Sequence, residues 1–157
     1  MKFSLWYVVP WFYILKKDGS LQLVQDYRKL NQHMIKDKIP LLLIGEVINK
    51  LKNAKYFNKL DLIWAYNNVQ VKEVDKWKVV FLMNKGLFKP KVMYFGLCNL
   101  LCTFQRMMNS IFQELLHKGV LTNYINDFII PTKTKKELED RTIWFLKIVK
   151  KHDLCFK

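Results

Sequence analysis

Tyr124-Ile125-Asn126-Asp127 sits between two apolar runs, Val120-Leu121 and Phe128-Ile129-Ile130. So short a polar break between apolar runs folds the chain back on itself as a β-hairpin, with the Asn-Asp step at its tip. A helix signal lies on each side of it. Upstream, Leu101, Phe104, Met108, Ile111 and Leu115 recur at helical spacing, and Gly119 stops that helix. Within that stretch the pair Met107-Met108 reads as core filler rather than as ligands. Downstream, Thr134 and Glu137 form a capping box for a last helix. Leu138, Thr142, Phe145 and Val149 give this helix one inner face, and its outer face is basic.

The first half of the chain supplies further strands. Residues 11–15 are β-rich, Asp18-Gly19 is a turn signal, and residues 21–25 return as a second strand. Lys16-Lys17 puts charge beside that turn. Pro40 can begin a helix, with Ile44, Val47, Ile48 and Leu51 on one face. Residues 56–62 read as a buried strand carrying one carboxylate, Asp61. Val69 and Val71 alternate with Gln70 and Lys72, which predicts a half-buried strand. Residues 79–83 and 91–95 predict two more, around a turn near Asn84-Lys85-Gly86. The order hairpin, helix, strands, long helix, hairpin, helix is that of an α+β domain, an antiparallel sheet with helices packed on one side. With no internal repeat, low-complexity segment or linker, residues 1–157 read as a single domain.

Composition narrows the partners. Lys and Arg number 27 against 13 Asp and Glu, a formal net charge of +14, which points to a polyanion, most simply nucleic acid. An anionic membrane is the alternative, but no long basic amphipathic stretch supports it. The apolar run at residues 3–15 holds Pro10 and is followed by Lys16-Lys17-Asp18-Gly19 rather than by a small-residue cleavage site. It is also too short to span a bilayer. Cys98, Cys102 and Cys155 are an odd number without a CxxC pair, so they read as reduced thiols of an intracellular protein, in cytoplasm or nucleus.

Two carboxylates stand out by placement, Asp61 at the end of a strand and Asp127 at the hairpin tip. Carboxylates at sheet ends can converge on Mg²⁺, and nucleotidyl transfer uses two such ions ~3.5–4 Å apart. Asn-Asp at a hairpin tip is equally an ordinary turn, so spacing leaves both readings open.

A longer series of motifs runs through the chain. It runs from Lys16-Lys17-Asp18-Gly19-Ser20 through Asp26-Tyr27-Arg28-Lys29-Leu30-Asn31, Ala54-Lys55-Tyr56-Phe57 and Lys59-Leu60-Asp61-Leu62. Trp64-Ala65-Tyr66-Asn67-Asn68-Val69, Trp77-Lys78, Gly86-Leu87-Phe88, Phe95-Gly96-Leu97 and Thr103-Phe104-Gln105 continue it in order. In this order the motifs resemble the reverse transcriptases of gypsy-like LTR retrotransposons, and Tyr124 to Asp127 falls where that family carries Tyr-x-Asp-Asp. The resemblance implies a polymerase fingers–palm fold, ending before the primer-grip hairpin and thumb, from a retrotransposon polyprotein. It implies RNA-directed DNA synthesis from dNTPs on an RNA or DNA primer–template with two Mg²⁺ ions. It makes Asp61, the Leu62 carbonyl and Asp127 metal ligands, with Asn126 at a degenerate catalytic position. It makes Lys16, Lys17, Arg28, Tyr66 and Phe95 nucleotide-binding, with Tyr66 a steric gate against ribose. It leaves Gln105 a structural brace near the site.

The chain departs from that family at Asn126 (usually Asp), Gln22 (Arg), Leu101 (Pro), Lys76 and Lys89 (often Glu), Val79 (Thr or Ala) and Asp153 (Gly). Each departure, taken from Ala at position 79, is one C-to-T or G-to-A change away in a suitable codon. The expectation is a degenerate copy with impaired catalysis. The alternatives are a non-catalytic nucleic-acid-binding remnant and a translated relic of a silenced element.

Overall fold

A computed structural model describes residues 8–38, 44–63 and 65–156. In chain order the elements are β1 (Trp11–Leu15), β2 (Leu21–Gln25), α1 (Arg28–His33), α2 (Ile44–Leu51), β3 (Tyr56–Asp61), β4 (Phe81–Met83), β5 (Gly86–Phe88), α3 (Leu100–Ile111), α4 (Gln113–His117), β6 (Thr122–Tyr124), β7 (Asp127–Thr132) and α5 (Lys135–Lys151). Two 3₁₀ turns, Ala65–Asn68 and Glu73–Val79, lie between β3 and β4. All strand pairs are antiparallel. No helix among the described residues is long and apolar enough to cross a membrane. The chain divides into two compact units, Met1–Asp37 with Tyr66–Leu100 and Lys38–Ala65 with Leu101–Lys157.

In the first unit, β1 and β2 pair from Trp11↔Gln25 to Leu15↔Leu21. Their turn closes through Lys16 N–H to Ser20 O at 2.8 Å, and the Asp18 carboxylate accepts from the Ser20 N–H at 3.0 Å. Gly19 takes φ +79°, the conformation for which the turn needs glycine. The unit's core is Val9, Tyr27, Val79, Phe81, Leu97 and Leu100.

Two expected strands are replaced here. β4 pairs with β5 across Asn84-Lys85, and Pro90, which has no N–H to give a ladder, follows the end of β5. Residues 91–95 form no strand, and the expected strand at Val69 and Val71 shrinks to one bridge, Gln70↔Val92. The flanking 3₁₀ turns leave room for no more. The second of them is braced by ion pairs from Lys76 to Glu73 and from Lys78 to Asp75.

In the second unit the sheet order is β3-β7-β6. Phe104, Met108, Phe112, Leu115, Phe128, Ile130 and Phe145 are fully buried. Phe112 and Phe145 stack with ring centroids 5.0 Å apart. The long helix expected upstream of the hairpin breaks at Phe112, between α3 and α4. Gly119 ends it at φ +66°. In α2, Val47 is buried but Ile48 is exposed, so only part of its apolar face is covered. The helix start expected at Pro40 lies outside the described residues.

β3 is an edge strand, not a buried one: Tyr56 and Phe57 are both exposed. From Asn58 onward its inward side is the even-numbered one, where Leu60 pairs with buried Phe128 and the Asn58 amide donates to Thr142 Oγ1 of α5 at 2.7 Å. At the N-terminus of α5, Thr134 Oγ1 accepts from the Glu137 N–H at 3.3 Å. The Glu137 carboxylate takes the N–H of Lys133, one residue before the cap.

Candidate active site

The period of two that turns Asn58 and Leu60 inward turns Lys59 and Asp61 outward. Asp61 lies directly opposite Asp127 in the β3–β7 register, and Asp127 lies opposite Tyr124 on its other side. Side chains opposite one another on antiparallel strands share a face and interact, and like charges placed so repel. A cation answers that repulsion: Lys59 Nζ sits 3.0 Å from Asp127 Oδ1, an ion pair open to solvent.

The turn beside these carboxylates is strained. Only Ile125 and Asn126 separate β6 from β7, and Ile125 takes φ +58°. For a β-branched residue that conformation costs on the order of 1–3 kcal/mol. Gln105 of α3 holds the turn, its Oε1 accepting the Ile125 N–H at 3.2 Å. The Gln105 amide in turn donates to Asn109 Oδ1 at 2.9 Å, and buried Asn123 of β6 donates to the same oxygen at 3.4 Å. The Asn126 carbonyl accepts from the Leu62 N–H at 3.3 Å, tying the turn to the end of β3. The Asn126 side-chain Oδ1 is buried with no hydrogen-bond partner among the described residues.

This donor set does not fit a two-Mg²⁺ centre. It offers two cross-strand carboxylates, one already on an ammonium, and the residue next to Asp127 in the chain, Asn126, brings a neutral amide and no charge. Among the described residues no three His, Cys, Asp or Glu side chains gather as a metal site.

The remaining candidates belong to the first unit. Lys16 and Lys17 are exposed at the β1–β2 turn, and Gln22 lies opposite Ile14 on the same hairpin. Arg28 grips Asp26 with Nη2 to Oδ2 at 2.6 Å and Nε to Oδ1 at 2.9 Å. That hydrogen bonding, joined by the Arg28 N–H on Oδ1, lowers the Asp26 carboxyl to about 2. Tyr66 and Phe95 meet edge to face with centroids 4.9 Å apart. Sequence reasoning missed the amides of Asn109 and Asn123, the Lys59–Asp127 pair, and the hydrogen bonds of Asn31 to Gly96 and Cys98. Asn31 stood within a motif, but its partners are 65 and 67 residues away.

The family described as reverse transcriptase (RNA-dependent DNA polymerase) matches residues 14–157. The chain belongs to the reverse transcriptase family. Among relatives of this reverse transcriptase chain, the Transposon Tf2-3 polyprotein of Schizosaccharomyces pombe is 33% identical over 128 residues, 82% of the chain. The chain spans only 10% of that polyprotein's length. Two solved structures share the fold. A foamy viral protease-reverse transcriptase in complex with double-stranded DNA superposes with TM-score 0.85 at 18% identity, covering 96% of this chain and 26% of that one. A foamy viral protease-reverse transcriptase in complex with an RNA/DNA hybrid gives TM-score 0.80 at 18% identity, covering 90% and 19%.

Proposed function

We propose that this chain is the reverse transcriptase region of a gypsy-like LTR retrotransposon polyprotein, a fingers–palm module whose own nucleotidyl transfer is impaired. The family's reaction is RNA-directed DNA synthesis from dNTPs on a primer–template. The first unit corresponds to fingers, with Lys16, Lys17 and Arg28 toward the triphosphate and Tyr66 and Phe95 toward the sugar. The second corresponds to palm, with Asp61, the Leu62 carbonyl and Asp127 as what remains of the metal ligands.

The observation that carries the reading is Asn126, in a two-residue turn beside the cross-strand pair Asp61–Asp127. An amide oxygen brings no charge to a centre that must hold two divalent ions beside a triphosphate. Each ~1.4 kcal/mol lost from the transition state is a tenfold loss of rate. Primer extension tests the reading: the unmodified chain yields no product. Asn126→Asp tightens Mg²⁺ binding in the presence of dNTP and primer–template, without necessarily restoring synthesis, because Gln22 still replaces an arginine fork. Template-dependent, Mg²⁺-dependent extension by the unmodified chain, abolished by Asp61→Asn, would overturn it.

A second reading, a non-catalytic nucleic-acid-binding remnant, is favoured by the net charge of +14. Salt-dependent duplex binding without extension is its expected signature.

A further inference from the structure

The segment that carries Phe95 is clamped from one side by amides. Asn31 Nδ2 donates to Gly96 O at 2.7 Å, and the Cys98 N–H donates to Asn31 Oδ1 at 2.9 Å. One side chain thus spans the segment with both of its polar ends. The return contact comes from Asn99, which donates to Ile35 O at 2.8 Å and accepts the Asp37 N–H at 3.0 Å. Asn31 is itself fixed within α1, its own N–H on Tyr27 O at 2.8 Å. On the other side the segment rests on the core. Gly96 takes φ +104°, and a Cβ there would lie 3.4 Å from both Gln25 O and the Tyr27 ring. Phe95 has no comparable hold of its own: it is 54% exposed and meets Tyr66 by one ring edge.

We propose that Asn31 is a positioning residue: its two hydrogen bonds to the Gly96–Cys98 backbone fix the Phe95 ring against Tyr66 and so set how well the pocket separates deoxyribose from ribose. This rests on the nucleotide role proposed above for Tyr66 and Phe95. A steric gate discriminates only while its rings cannot yield: Tyr66 is packed against the core, whereas the exposed Phe95 yields unless its backbone is held. Asn31→Ala removes both bonds. Asn31→Asp keeps an acceptor for the Cys98 N–H but sets an oxygen against Gly96 O. Gly96→Ala disturbs the same segment from the core side.

Two measurements on the 157-residue chain test the proposal. The first is the ring-to-ring NOE between Phe95 and Tyr66 without nucleotide. It is expected in the unmodified chain and in Gly119→Ala, a control with similar backbone strain and nothing within 4 Å of the added Cβ. It is expected to weaken in Asn31→Ala, Asn31→Asp and Gly96→Ala, each checked by its thermal transition for folding. The second is equilibrium binding of dCTP against CTP opposite a templating guanine in a primer–template duplex. The preference for dCTP should fall at least about fivefold in Asn31→Ala, which loses two hydrogen bonds where one alone is worth about that factor, and stay unchanged in Gly119→Ala. An NOE undisturbed in folded Asn31→Ala, or an unchanged dCTP preference despite a displaced ring, sinks the proposal. If no variant binds either nucleotide while the NOE still responds to Asn31, the nucleotide reading itself fails and Asn31 only packs the core.

Discussion

Ile125 occupies φ +58° only because its neighbours hold it there. Ile125→Gly should therefore stabilise the chain by about 1 kcal/mol in urea unfolding, the strain relieved less the extra freedom glycine gives the unfolded chain. Gln105→Ala should act in the opposite direction, by roughly 1–3 kcal/mol, because it leaves buried polar groups without partners. Asp26 gives a pH prediction. Its folded value near 2 lies below its ordinary 3.8, so the Asp26–Arg28 pair contributes stability above about pH 4 and loses it as pH falls through about 2. A carboxyl-carbon NMR titration with its midpoint near the ordinary value would contradict the grip of Arg28. Placement in the sequence drew attention to Asp61 and Asp127, which the β3–β7 register sets opposite each other, but their chemistry and the weight on Asn126 came only from the run of motifs that carries the resemblance. The Asn31 clamp and the Lys59–Asp127 pair were not legible, because each joins residues more than 60 positions apart that only the fold brings together.

Elements were most legible where they close locally. β1 and β2 have the bounds that the Asp18-Gly19 turn predicts, and the hairpin of β6 and β7 lies between its apolar flanks, but its tip is Ile125-Asn126 rather than Asn126-Asp127, because Asp127 already pairs with Tyr124 as the first residue of β7. The misses share a cause. Alternation at Val69 and Val71 is a period-two signal, but a strand also needs a partner of similar length, and the nearby 3₁₀ turns deny one. The apolar content of β3 suggested burial, yet Tyr56 and Phe57 are exposed on an edge strand. Two predictions belong at this scale. Thr134→Ala removes the acceptor from the first turn of α5 and should cost ~1 kcal/mol. Phe145→Ala empties the centre of a cluster in which Phe145 meets Phe112, Phe128 and Phe156, and should cost ~3–5 kcal/mol in chemical denaturation. A loss below ~1 kcal/mol would mean that the cluster re-closes around the cavity.

For the whole molecule, the charge of +14 predicts binding to duplex that is indifferent to sequence and falls steeply with salt, as counterion release requires. A salt-independent affinity would contradict this. Most strand pairs join neighbours in the chain: β1 with β2, β4 with β5, β6 with β7. The β3–β7 ladder alone among them reaches across the sequence, pairing Tyr56 with Thr132 and Asp61 with Asp127. Local hairpins close within microseconds, whereas a distant pairing must first overcome the entropy of a long loop. The second unit should therefore assemble β6 and β7 early and receive β3 late. In refolding, exchange protection should reach the β6–β7 amides before those of β3. The two carboxylates would then become neighbours only in the final step, so a nascent or partly folded chain carries no local acidic centre to gather stray cations.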